Sequence, residues 1–179
     1  MDTAFDDAIT SVRDLAARGT IQDLLVDDLT RDDLPKITWS GAPSHIRSVT
    51  ALLDRREAKG DVDYLCVRAP NGFPVAKGCV DYAEHAGAGE IMQLATHEAV
   101  QGLGLARMVV RAAEHRIAGR GVVVALLGVE DNNPRARTLY MRLGYEVSGR
   151  ERVSWEREDD RGRLIMYETE ITLLRKEVK

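Results

Sequence analysis

At Gly60 the apolar residues change period, and that change restricts the fold more than anything else in the chain. Before it the spacing is helical. Residues 4 to 18 place Phe5, Ala8, Ile9, Val12, Leu15 and Ala16 on one face, with Gly19 as a stop. Ile21 to Val26 is a short apolar run that reads as a strand. Thr30 to Ile37 opens on a good N-cap residue and reads as a short helix. Ser40-Gly41-Ala42-Pro43 is a turn, and Ser44 to Ala58 predicts a helix with Ile46, Val49, Leu52 and Leu53 inward. After Gly60 the pattern is that of strands. Val62 to Val67 and Val75 to Tyr82 flank the turn signal Pro70-Asn71-Gly72 and predict an antiparallel hairpin. Glu90 to Thr96 follows as a third strand.

The second half returns to alternation of helix and strand. Leu103 to Ile117 predicts a helix closed near Gly119 and Gly121. Val122 to Val129 is almost wholly apolar, as a strand buried on both faces would be. Pro134 to Leu143 is a short helix ended by Gly144. Tyr145 to Trp155 and Arg163 to Leu174 are strands joined through Glu158 to Gly162. Hairpins and one β-α-β crossover in one chain predict a mixed α/β (α+β) sheet flanked by helices.

A chain of 179 residues suits one domain with a sizeable core. Its net charge of −4 argues against nucleic acid as a partner and weakly favours a cationic or amine one. Cys66 and Cys79 lie in strand-like runs without metal or redox spacing and read as buried free thiols. The N-terminus carries Asp2, Asp6 and Asp7 where a signal peptide would be basic and then apolar. No apolar run nears the ~18 residues that span a bilayer. A cytoplasmic location, with no membrane partner, is the expectation.

The chemistry concentrates in Gln101-Gly102-Leu103-Gly104-Leu105-Ala106, between a strand and a helix. Two glycines let backbone approach a ligand closely, and free amides at a helix N-terminus suit a phosphate without any basic side chain. Three readings fit such a segment. A dinucleotide loop would need G-x-G-x-x-G/A, and the sixth position here is Arg107. A plain glycine-rich turn is the second. The third is a loop that holds the pyrophosphate of an acyl-CoA.

For the third reading the sequence resembles the GNAT superfamily of N-acetyltransferases. The family's Q/R-x-x-G-x-G/A is matched by Gln101, Gly104 and Ala106. Its later N-x-x-A-x-x-L-Y-x-x-x-G-F/Y is matched by Asn133, Ala136, Leu139, Tyr140, Gly144 and Tyr145. The match runs over roughly residues 20 to 176. It implies a single GNAT domain over 20–179 behind an N-terminal helical extension, 1–19. It further implies a mostly antiparallel central sheet with a V-shaped splay between strands 90–96 and 122–129. The activity implied is acetyl transfer from acetyl-CoA to a primary amine, by direct attack in a ternary complex and without a metal. Homodimers are common among such proteins.

The resemblance also distributes roles. Leu94, Ala95 and Thr96 would pair with the pantetheine arm as an added strand would. Gln101, Gly102, Leu103, Gly104, Leu105 and Ala106 would hold the pyrophosphate. Asn133 would contact the arm through its amide, and Ala136 would be small to let it pass. Tyr140 would protonate the departing thiolate, since a phenol of pKa ~10 is a donor at neutral pH; otherwise it simply packs. Glu90, 11 residues before Gln101, matches the glutamate that acts as base in the histone-acetyltransferase branch; otherwise it is a solvated strand-end carboxylate. His97 could relay protons or be a loop histidine near the cofactor. His45, His85 and His115 read as structural, and no metal site is evident.

Asp27, Asp28, Asp32 and Asp33 either draw a cationic acceptor or form a solvated face. Trp39 and Trp155 read as packing residues. Rival functions are an acyl-CoA-binding sensor or interaction module with little catalysis, and acetylation of charged tRNA, which the acidic balance disfavours. The acceptor, whether small molecule or peptide amine, is not written in the sequence.

Overall fold

A computed structural model describes residues 3–159 and 161–179. Met1, Asp2 and Asp160 lie outside them, and with them part of the acidic N-terminus. The helices are α1 (Thr3–Ala17), α2 (Pro43–Lys59), α3 (Leu105–Gly119) and α4 (Pro134–Arg142). The strands are β1 (Leu25–Asp28), β2 (Val62–Arg68), β3 (Pro74–Asp81), β4 (Ala88–Thr96), β5 (Val124–Glu130), β6 (Glu146–Glu158) and β7 (Leu164–Glu177). They form one sheet of order β1-β2-β3-β4-β5-β7-β6. Only β4 and β5 run parallel, with α3 as the crossover between them.

The sheet is covered on both faces. On one, α3 packs through Val110, Ala113 and Ile117 against Val80, Ile91, Ala125 and Leu127. Beside it α1 packs through Ala8, Ile9 and Val12 with Val75, Leu105 and Val109. On the other face α2 sets Val49 and Leu53 on Val62, Tyr64, Cys66 and Cys79. β3 is central, and all eight of its residues are buried. Both cysteines are free and buried, and burial pushes each thiol up to about 12. At that value they are protonated and unreactive.

Three local expectations change. The strand read at Ile21 to Val26 begins only at Leu25, because Asp23 N–H closes onto Thr20 C=O (3.0 Å) and makes Ile21–Asp23 a 3-10 turn. The helix read from Leu103 begins at Leu105, since Gly102 (φ 84°) and Gly104 (φ 92°) are left-handed. β5 is buried on one face only, through Ala125, Leu127 and Val129. The helix of the opposite face, α2, packs over β2 and β3 instead.

Candidate active site

β4 and β5 pair only from Ala88↔Val124 to Glu90↔Leu126. Beyond that they part, which is the splay expected between 90–96 and 122–129. The cause is local. Cys79 pairs with Met92 but Lys77 with Ala95, so Gly78 alone faces Gln93 and Leu94. Gln93 takes φ 52°, the only non-glycine with positive φ among the described residues. This β-bulge bends β4 away from β5 and leaves the backbone edge of its last residues without a strand partner on that side.

A cleft of about 580 Å³ opens in the gap. One wall is Leu94, Ala95 and Thr96; the loop wall is Gln101, Gly102, Gly104, Leu105 and Ala106; Asn133, Ala136 and Tyr140 close it from α4. Gly104 is the N-cap of α3 and no side chain among the described residues caps that helix, so its first amides are left open there. Arg107, Arg135 and Arg142 also line the cleft. Arg135 donates to Gln101 Oε1 (3.3 Å), which holds its guanidinium over the loop. An uncapped helix terminus, left-handed glycines and three arginines have the chemistry that suits a polyanion. The unpaired β4 edge above suits an amide-bearing arm. An acyl-CoA fits both.

The comparisons with known proteins agree with this geometry. Residues 76–155 match the model of the FR47-like protein family. No curated protein matches the sequence. Among solved structures, the ribosomal-protein-S18-alanine N-acetyltransferase of Escherichia coli superposes with a TM-score of 0.67 at 17% identity, covering 87% of this chain and 94% of its own. The PaiA N-acetyltransferase of Thermoplasma acidophilum, solved in complex with coenzyme A, gives 0.62 at 14% identity, covering 86% and 98%. A spermidine N-acetyltransferase chimera of Vibrio cholerae SpeG and hSSAT gives 0.65 at 17% identity, covering 86% and 95%. The chain has the GNAT fold.

Within that fold the expected residues do not all converge. The Leu103 side chain packs in the α1 cluster, so that only its backbone belongs to the loop. Asn133 lines the cleft, but its Oδ1 accepts from Ala136 N–H (3.1 Å) and caps α4, so only its amide nitrogen remains for a ligand. Gln101 donates from Nε2 to Thr96 C=O (3.2 Å), the carbonyl expected to pair with the arm. Thr96 Oγ1 is buried without a partner among the described residues. Tyr140 is 7% exposed on the cleft wall, and burial lifts its phenol to about 12. Its ring packs edge-on to Tyr145 at 6.2 Å, and its hydroxyl has no hydrogen-bond partner among the described residues.

Glu90 does not line the cleft. It sits where β4 and β5 still pair, on the face that Met92 shares with α2. Four residues of strand, roughly 13 Å, separate it from Leu94. Burial raises its carboxyl above the usual range, and His85 Nε2 lies 3.4 Å away. His97 is structural. Its Nδ1 accepts from Ala99 N–H (3.1 Å), its ring packs on Phe5 and Trp39, and burial lowers its pKa below the ordinary histidine value. α1 also reaches this segment, where the Arg13 guanidinium donates to Ala99 C=O at 2.8 and 3.0 Å.

The acidic cluster is largely spent within the protein. Asp33 is buried and takes Arg68 at 2.9 Å; desolvation alone would raise it, but Arg68 and Thr30 hold it below the usual carboxylate range. Asp28 pairs with Arg116 at 2.8 Å, and Asp27 lies 3.8 Å from Arg68. This is a structural network, with Asp32 left over.

The residue that sequence reasoning passed over is Lys77, fully buried on β3. Its ammonium meets only neutral acceptors: His45 Nε2 at 3.0 Å, Tyr64 Oη at 3.0 Å and Gln93 C=O at 3.3 Å. Tyr64 in turn donates to Gln93 Oε1 (2.8 Å), and Gln93 Nε2 to Ser48 Oγ (2.9 Å). The bulge that opens the cleft is thus pinned from the α2 side. Burial and then the charge of Lys77 take His45 down to about 4, so its ring is a neutral acceptor. Burial takes Lys77 down to about 8.

A pH dependence follows. Between about 8 and 10.5 the unfolded chain binds a proton at Lys77 that the folded one has released, so this group makes stability rise with pH in that window. The contribution is up to about 3 kcal/mol. Thermal melts of the wild type and Lys77→Met from pH 7 to 10 should show the wild type gaining on the variant. Parallel curves would mean that Lys77 does not titrate in that range.

Proposed function

We propose that the protein is an N-acetyltransferase that moves the acetyl group of acetyl-CoA to a primary amine by direct attack. The observation that carries the reading is the cleft itself. The uncapped start of α3 and its glycine loop stand at one end of the splay, and the buried phenol of Tyr140 lines the same cleft from α4. In the step, the amine nitrogen bonds to the thioester carbonyl carbon as the C–S bond breaks. The thiolate takes the proton of the Tyr140 hydroxyl. The amine's own proton leaves towards Glu90 through water, since the carboxylate stands too far down β4 for direct contact. Tyr140 is then reprotonated from solvent.

Residues 20–179 form the catalytic unit in this reading, and 1–19 a helical extension that braces the segment before the loop through Arg13. The acceptor is an amine on a small molecule or a peptide. The solved neighbours include enzymes named for spermidine and for a ribosomal protein. Two buried free thiols suit a reducing, cytoplasmic setting, and no helix among the described residues is long and apolar enough to cross a membrane.

Titration calorimetry with acetyl-CoA, followed by thiol release over a panel of amines, tests the proposal. Binding with release on one amine class supports it and names the acceptor. Binding without release over small amines and N-terminal peptides supports an acyl-CoA sensor instead. No binding refutes both. Glu90→Gln should flatten the acidic limb of the pH–rate profile while leaving acetyl-CoA affinity unchanged. An unaltered limb would remove Glu90 from the proton path.

A further inference from the structure

β6 ends the sheet and is 13 residues long, and almost all of it is exposed. Its outer backbone edge has no partner among the described residues. A long open edge is a template for another strand, so the order of its side chains decides what can pair there. From Arg150 to Glu158 the strand reads Arg-Glu-Arg-Val-Ser-Trp-Glu-Arg-Glu. Reversed about Ser154, every charge meets its opposite.

We propose that β6 pairs antiparallel with β6 of a second copy of this chain, about a two-fold axis beside Ser154. Identical antiparallel strands obey such an axis only where a residue faces its own copy. Centred on Ser154, Arg152 faces Glu156, Glu151 faces Arg157 and Arg150 faces Glu158. Val153 faces Trp155 on both sides of the axis. The neighbouring allowed registers are worse. Centring on Val153 sets Glu151 against Trp155, and centring on Trp155 sets Glu151 against Asp159. Each of those registers keeps one opposite-charge pair, Arg150 with Glu156 or Arg152 with Glu158, whereas the Ser154 register pairs all of its charges with their opposites and is favoured.

The fold leaves most of these groups available, and Arg157, whose guanidinium stacks 4.0 Å over the Tyr167 ring, keeps its N–H edge for a carboxylate. Arg152 is 75% exposed and only 3.5 Å from Glu170; Glu151 and Glu156 make no ion pair among the described residues. Arg150 lies 3.4 Å from Asp131 and retains donors for a second carboxylate. Glu158 is partly committed, accepting from Ser44 N–H at 3.0 Å, so the outermost pair is the weakest. At the centre, Trp155 is 40% exposed and packs edge-on to Tyr167 at 5.0 Å, with Ile165 37% exposed. Trp155 was read from the sequence as a packing residue; on the monomer it is not enclosed. Pairing across the axis joins the two copies' Val153 and Trp155 into one apolar strip and continues the sheet between them.

Light scattering and sedimentation over a concentration series give the mass and the dissociation constant. The expected species has twice the 19.8 kDa chain mass. Arg152→Glu and Glu156→Arg, each setting like charges opposite one another twice per dimer, should weaken it by about 10-fold or more. The double variant should restore it. Ser154→Cys should oxidise to a covalent dimer, while Glu151→Cys should not, because only residue 154 faces itself. A monomer at every concentration overturns the proposal. So does a dimer indifferent to both charge reversals, or one cross-linked equally through 151.

Discussion

Gly104→Trp is expected to weaken acetyl-CoA binding by about 100-fold or more and to leave the fold intact. Gly104 has φ 92°, in a region that costs other residues about 1–2 kcal/mol. There is room for a Cβ, since the nearest atom is the far end of Arg107 at 3.5 Å, so the strain is local. The indole would lie across the first amides of α3 and between Arg107 and Arg135, where a pyrophosphate would bond. Two or three charge-assisted hydrogen bonds, each about 1.5–3 kcal/mol, are enough for that loss. Calorimetry measures it, and Gly104→Ala separates strain from obstruction by falling between the two. An unchanged affinity in the tryptophan variant would remove the loop from the cofactor site.

Tyr140→Phe should lower kcat by about 10²-fold, with acetyl-CoA affinity and melting temperature close to wild type. The phenyl ring keeps the edge-on contact with Tyr145, and the hydroxyl that is lost has no hydrogen bond within the described protein to forfeit. The effect should therefore lie in the chemical step. A phenol pushed up to about 12 by burial stays protonated throughout the working range. The alkaline side of the wild-type profile should accordingly not report Tyr140. Stopped thiol release under saturating substrates distinguishes the cases, and turnover within threefold of wild type would reduce Tyr140 to a packing residue.

Much of this architecture is legible before folding because its signals are local. The period change at Gly60, the Asn71-Gly72 turn and the apolar Val122 to Val129 run each depend on a few neighbouring side chains. The loop at 101–106 and the motif from Asn133 to Tyr145 are short segments whose glycines and small residues have one conformational purpose. Tyr140 and the loop line the same cleft, as the resemblance implies. The sequence is silent where a residue's partner lies far along the chain: the Leu103 side chain packs with α1, and Asp27, Asp28 and Asp33 meet Arg68 and Arg116.

What sequence alone determined is the set of elements, their order and the glycine-lined start of α3, because hydrophobic period and glycine conformation are properties of adjacent residues. Only the tertiary structure decided which strand gap opens and what holds it open. Lys77, His45, Tyr64 and Gln93 come from four elements and meet around a bulge that no window of sequence contains. The sheet order likewise leaves β6 at the edge. Burial, electrostatic partners and edge position are properties of residues distant in the chain, and they exist only once the sheet has formed.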